Sequence, residues 1–196
     1  MTHHSGFHWR TTGACCRCGS HAAAGDYTPV SSLPPDYWTA LELLAKASSH
    51  YFNVTGRRVV IVGGAAVTFY TQGEVLSGDF DIVADIDFER FLLAEGFQRD
   101  EGPGQFLGGY HHPDVPRLGF EFVSGSLFDG RSDADKLLVV AVSKDAEVVF
   151  PAVEDLIADR LGQYAASRNR SEAMRSQAHL MFVLAAECDR DYLTHI

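Results

Sequence analysis

Asp79 and Asp81 stand two residues apart in the stretch Ser77-Gly78-Asp79-Phe80-Asp81-Ile82-Val83. On a β-strand alternate residues project from the same face, so the spacing predicts two carboxylates pointing together. Like charges that close repel unless a cation neutralises them. A hard divalent ion with oxygen ligands suits such a pair, Mg²⁺ above all, with Mn²⁺ as the substitute. Two such ions can activate an attacking hydroxyl and stabilise a leaving pyrophosphate. A third carboxylate on a neighbouring strand usually completes that arrangement. Glu121 is the candidate, because Phe120 and Phe122 flank it and set it on the opposite face of its strand.

Upstream, the apolar run Val59–Val62 meets Gly63 and Gly64. Glycine lets the backbone approach phosphate oxygens and adopt positive φ. A helix that starts there offers free N–H groups to an anion. The pattern is neither of two common phosphate loops. Ala65 stands where a G-x-G-x-x-G run needs its second glycine, and no G-K-[ST] follows. What the order does give is strand, Gly-Gly, helix, turn and acidic strand in close succession.

These residues need a scaffold. Residues 34–51 read as a helix opened by Pro34 and Pro35, with Tyr37 and Trp38 anchoring it on a sheet. Gly56 marks the following turn. Val59–Val62 reads as a buried strand, 65–72 as a helix of small residues, and Asp79–Val83 as a strand with Phe80 and Ile82 on one face. Asp85 or Asp87 is expected to cap a helix running through Phe88, Phe91, Leu92 and Leu93 to Gly96. His111 and His112 fall in a Gly- and Pro-rich stretch and read as a solvated loop. The alternation of 118–123 predicts a strand, as do the apolar run Leu137–Val142 and Glu147–Phe150. Helices are expected from Pro151 to about Ser167 and from Glu172 to about Ala186. In the last, Met181, Phe182 and Leu184 are expected to face inward.

The 196 residues include 46% apolar side chains, enough for a packed core, so global disorder is excluded. Sixteen basic and 26 acidic residues give a formal charge of −10, which argues against non-specific coating of nucleic acid or anionic membrane. No apolar run approaches the roughly 18 residues of a membrane span. The N-terminus has no apolar signal-peptide segment, and four cysteines, three of them clustered, make no disulfide framework, so a cytoplasmic location is expected. Residues 1–30 read as a flexible arm. Within it Cys15, Cys18 and His21 have zinc-like spacing, but no second pair lies downstream.

The order of Gly63-Gly64 and Ser77-x-Asp79-x-Asp81 resembles the signature of the DNA polymerase β-like nucleotidyltransferase superfamily. Within it, the chain looks most like the compact bacterial AbiEii-like, toxin-type members. Phe69 and Tyr70 after the glycines, the Gly96-Phe97 step and the stretch Glu154–Leu161 carry the rest of the likeness. The resemblance implies that Gly63, Gly64 and Ser77 contact nucleotide phosphates. It also implies that Asp79, Asp81 and Glu121 bind Mg²⁺, and that Arg160 holds the triphosphate. It departs from the family's pattern in three places. The basic residue usual before Ser77 is missing, Arg160 replaces a lysine, and the last helix reads RSQAHLMF (Arg175–Phe182) where an acidic residue is expected.

The expected architecture is an α/β (α+β) fold: a small mixed sheet forming a nucleotidyltransferase core over 31–150, flanked by helices, and a helical segment over 151–196. The resemblance implies NMP transfer from an NTP to RNA, such as a tRNA end, or to a protein acceptor, in a toxin that an antitoxin would restrain. Two alternatives stand beside it: a degenerate domain that binds nucleotide or a partner without catalysis, and a zinc-dependent interaction module.

Overall fold

The computed structural model describes residues 33–100, 109–123, 131–167, 171–185 and 188–196. The expected arm and its Cys15, Cys18 and His21 lie outside the described residues. The elements run α1 (Pro35–Thr55), β1 (Val60–Val62), α2 (Gly63–Tyr70), β2 (Asp79–Val83), a 3-10 turn (Ile86–Phe88), α3 (Glu89–Ala94), β3 (Gln98–Arg99), β4 (Gly109–His111) and β5 (Gly119–Val123). A second 3-10 turn (Ala134–Lys136) leads to β6 (Leu138–Ala141), β7 (Glu147–Phe150), α4 (Val153–Ala166), α5 (Glu172–Leu184) and α6 (Arg190–His195). The architecture is α/β, with a mixed sheet as expected.

The seven strands form one sheet in the order β3-β4-β5-β2-β1-β7-β6. β2 runs parallel to β5 and β1 parallel to β7; the other neighbours are antiparallel. Period-2 alternation gives the sheet two different faces. On one face Ile61, Phe80, Ile82, Phe120 and Phe150 pack with buried residues of α1 to α5 in a single core. Aromatic rings line that contact. Tyr37 stacks on Phe80 at 5.1 Å, Phe80 on Phe120 at 5.2 Å, and Phe69 on Phe150 at 4.2 Å between ring centroids. The buried side chains of α4 and α5 (Leu156, Ile157, Ala178 and Met181) join this same core.

The opposite face is laid out in rows set by the strand register. Val123, Val83, Val60, Val149 and Val139 are successive neighbours across five strands. Val60, Val62 and Val149 form the buried centre of this apolar row. The next row along holds Val62, Asp81, Glu121 and Gly109, and the one beyond it Asp79, Gly119, His111 and Gln98. The candidate acids therefore share one face, beside a ledge of valines.

Several local expectations need correction. Asp85 and Asp87 make no helix-capping bond. They accept instead from the Tyr51 hydroxyl, at 3.3 and 2.9 Å, and Arg57 pairs with Asp85 at 3.0 Å. Phe182 and Leu184 are exposed rather than inward, because α5 turns only its Ala178–Met181 side to the core. His111 is not in a loop: it lies on β4 and pairs with Gly119 of β5. His112 is buried, its Nδ1 accepting from the Asp114 N–H at 3.1 Å and its other nitrogen meeting the Glu95 carbonyl at 3.2 Å.

Candidate active site

Gly63 follows the last residue of β1 and opens α2 directly, with no side-chain cap. Its φ is +62°, a left-handed conformation that favours glycine. A Cβ at Gly63 would overlap the Asp81 carboxylate, and one at Gly64 would overlap the Ser77 hydroxyl. Asp79 Oδ1 lies 3.9 Å from that same Gly64 position. The glycine pair thus lets two carboxylates and a hydroxyl close on the helix N-terminus, where backbone N–H groups lack intrahelical partners.

Two side chains hold this turn: Thr68, which the sequence reading passed over, and Tyr37, which it took as an anchor of the first helix. The Thr68 hydroxyl donates to the Gly64 carbonyl at 3.1 Å and accepts from the Ser77 N–H at 3.0 Å, tying the Ser77 loop to α2. Tyr37 donates from α1 to the Ala65 carbonyl at 2.7 Å. Burial pushes its phenol far above the ordinary range, so it remains a donor. A threonine inside a short helix and a tyrosine in the first turn of another are common, so neither signals its partner in sequence.

β2 delivers Asp79 and Asp81 to the glycines, and β5 sets Glu121 beside Asp81 in direct register. Ser77 donates to Asp79 Oδ1 at 2.5 Å. The Gly64 N–H lies near enough to the Asp81 carboxylate to favour its charged form. Burial raises the Asp81 pKa above its ordinary value, and the charges of Asp79 and Glu121 raise it further. The Arg160 guanidinium and the Gly64 N–H act in the opposite sense. Among the described residues no three His, Cys, Asp or Glu side chains are grouped tightly enough to hold a metal ion. The three acids share a face and feel one another, but their carboxyl groups are not drawn together.

Arg160 is buried, at 6% exposure, neither a surface residue nor an ion-pair partner of Glu154 or Asp155. Nη1 donates to Gln163 Oε1 at 3.0 Å and touches Met174 Sδ at 3.6 Å. Asp159 is its nearest carboxylate, at 4.0 Å, and its buried Nε has no hydrogen-bond partner. The charge of this buried guanidinium is felt at Asp81. Glu154 and Asp155 serve elsewhere. Asp155 accepts from Ser132 at 2.6 Å and Tyr192 at 2.8 Å, and Glu154 from the Asp189 N–H at 2.5 Å, which fastens α6 to α4.

No protein-family model matches the chain, and no curated protein matches it. The crystal structure of an antigenic nucleotidyltransferase-like protein from Paracoccidioides brasiliensis does superpose on it. The TM-score is 0.53, over 82% of this chain and 84% of that one, at 14% identity. The chain has a nucleotidyltransferase-like fold. At that identity the likeness is one of fold, and it does not single out the AbiEii-like subfamily.

Proposed function

We propose that the protein is a metal-dependent nucleotidyltransferase, moving the NMP group of an NTP to an acceptor hydroxyl with release of pyrophosphate. One observation carries the reading: the Asp79 and Asp81 carboxyls lie against Gly63-Gly64 at the start of α2, with Glu121 in register beside Asp81. The nucleotidyltransferase-like fold supports it.

The donor type suits Mg²⁺ or Mn²⁺, but the present spacing does not. Asp79, Asp81 and Glu121 offer carboxylate oxygens whose mutual repulsion calls for a cation, and a bound ion would have to draw them together. Asp79, Asp81 and Glu121 would hold the ions, which when bound would favour the attacking hydroxyl and the leaving pyrophosphate. Gly63 and Gly64 would present backbone N–H groups to the phosphates, Ser77 would steady Asp79, and Arg160 would offer its idle Nε–H to the triphosphate. The acceptor is RNA, a tRNA end included, or a protein, and the setting is a cytoplasmic toxin held by an antitoxin. Among the described residues no helix is long and apolar enough to cross a membrane. Incubation with Mg²⁺ and each NTP in turn, with and without RNA, should release pyrophosphate in wild type and not in Asp79→Ala/Asp81→Ala. Equal release by both proteins contradicts the proposal.

A second reading rests on the same face. The acids are not grouped for a metal, and the Asp81 carboxylate already fills the space over Gly63. A domain of this kind would bind nucleotide, or a partner, without transferring anything. Nucleotide binding with no pyrophosphate release on any acceptor would favour it.

A further inference from the structure

Two threonines at the C-terminal end of α2 reach the loop that leads to the acids, and the consequences differ. Thr68 is 1% exposed and Thr71 fully buried. Each hydroxyl donates to the carbonyl one turn back, Thr68 to Gly64 at 3.1 Å and Thr71 to Val67 at 2.8 Å. A hydroxyl that donates once can still accept. The Ser77 N–H donates to Thr68 at 3.0 Å, and the Val75 N–H to Thr71 at 3.2 Å.

Val75 also packs its side chain against the main core, so the bond to Thr71 is not its only anchor. From Leu76 to Asp79 no side chain is buried, and Leu76 is 65% exposed. Hydrogen bonds fasten this stretch to the rest of the chain: the Ser77 N–H to Thr68, and the Gly78 carbonyl to the Gly119 N–H of β5 at 3.0 Å. The Ser77 hydroxyl passes the constraint on. It donates to Asp79 Oδ1 at 2.5 Å and stands where a Cβ on Gly64 would fall. The Thr68 hydroxyl thus grips both sides of the glycine turn: the Gly64 carbonyl on the helix side, and Ser77 with Asp79 on the strand side.

We infer that Thr68 is a positioning residue of the site: its hydroxyl sets Ser77, and Ser77 sets the Asp79 carboxyl against the start of α2. The inference rests on the transferase reading and deepens it. Thr68 lies buried behind the turn, so it meets no substrate and acts through Ser77 and Asp79. Thr71 offers the same chemistry to the same loop, but its partner Val75 carries no bond to an acid. It is therefore an internal control for the loss of a buried hydroxyl.

The test compares Thr68→Val, Thr68→Ser and Thr71→Val in the full chain. Valine keeps the shape and removes the hydroxyl; serine keeps the hydroxyl. Amide hydrogen exchange without metal or nucleotide should quicken about tenfold at Ser77 in Thr68→Val, the scale of one lost hydrogen bond, and stay near wild type at Ser77 in the other two. Mg·ATP, Mg·GTP, Mg·CTP and Mg·UTP are then titrated by calorimetry. Whichever binds wild type should bind Thr68→Val about tenfold more weakly, and Thr68→Ser and Thr71→Val within about twofold of wild type. Should Thr68→Val not fold, Thr68→Ala against Thr68→Ser makes the same comparison, since those two differ only by the hydroxyl. Unchanged nucleotide affinity in Thr68→Val, equal losses in Thr68→Val and Thr71→Val, or no recovery in Thr68→Ser overturns the positioning role and leaves the transferase reading standing. Failure of wild type to bind any Mg·NTP overturns the transferase reading and this inference with it.

Discussion

The Asp81 carboxylate occupies the space over Gly63 that a side chain there would need. Two costs combine at this position, since Gly63 also has a φ of +62°. Gly63→Ala should destabilise the fold by about 2–4 kcal/mol through left-handed strain and overpacking together. Gly64→Ala should cost less, because its backbone is not left-handed, although the added methyl meets Ser77 Cβ at 2.9 Å as well as the hydroxyl, so the Ser77 loop must shift and its bond to Asp79 is given up. Urea unfolding of the two variants checks the order.

Asp81 gives the site a pH signature. Its pKa is raised from 3.8 by burial first, then by Asp79 and Glu121, so the native chain holds its proton more tightly than the unfolded chain. Between 3.8 and the raised value the native state binds more protons, and stability falls as pH rises through that window. Asp81→Asn should remove this slope and be more stable than wild type at neutral pH, by less than about 1 kcal/mol because the carboxyl keeps part of its solvent. Unfolding free energies measured from pH 3.5 to 7 decide it.

Arg160 should separate binding from folding. Its buried Nε–H has no partner in the chain, so Arg160→Met removes an unsatisfied donor at similar volume. Stability should stay within about 1 kcal/mol of wild type. Nucleotide affinity should fall about ten- to a hundredfold, the loss of a charge-assisted contact to phosphate. Arg160→Lys should recover only part of it, because an ammonium lacks the planar fork. Melting temperature and calorimetry on the same samples distinguish this from a purely structural arginine, for which both would move together.

Tyr192 tests how the C-terminal helix is held. Its hydroxyl donates to Asp155 at 2.8 Å and accepts from the Asp133 N–H at 3.0 Å, and burial pushes its pKa up to about 12. Tyr192→Phe leaves the buried Asp155 one donor short and should cost about 1–2 kcal/mol. Asp155→Ala should cost more and expose α6 to protease. Limited proteolysis with mass analysis of the first cut reads this directly.

What the sequence revealed of this site, and what it did not, follows from range. The two faces of β2 were legible because DFDIV alternates acids with large apolar residues, and a strand has only two sides. The Gly-Gly step was legible because few residue types can turn a chain directly from strand into helix. Glu121 could be placed opposite its phenylalanines, but its register beside Asp81 depends on β2 and β5 pairing across 40 residues. His111 was hidden by its neighbours, since β4 spans only three residues and the glycine that opens it reads as turn. Arg160, Glu154 and Asp155 look like solvent-facing helix positions. Their burial comes from Met174, Ser132, Asp189 and Tyr192, partners that no local pattern announces. Asp85 and Asp87 show the same limit, accepting from a tyrosine 34 and 36 residues away.

The central claim is that Gly63-Gly64 with Asp79 and Asp81 forms a metal-dependent nucleotide site. Calorimetric titration of each Mg·NTP into wild type and into Asp79→Ala/Asp81→Ala, with EDTA controls, tests it most directly. At least one NTP should bind wild type, lose its affinity in EDTA, and fail to bind the double variant while that variant keeps its cooperative melt. Absence of binding by every NTP, or equal affinity in the folded double variant, would contradict the account.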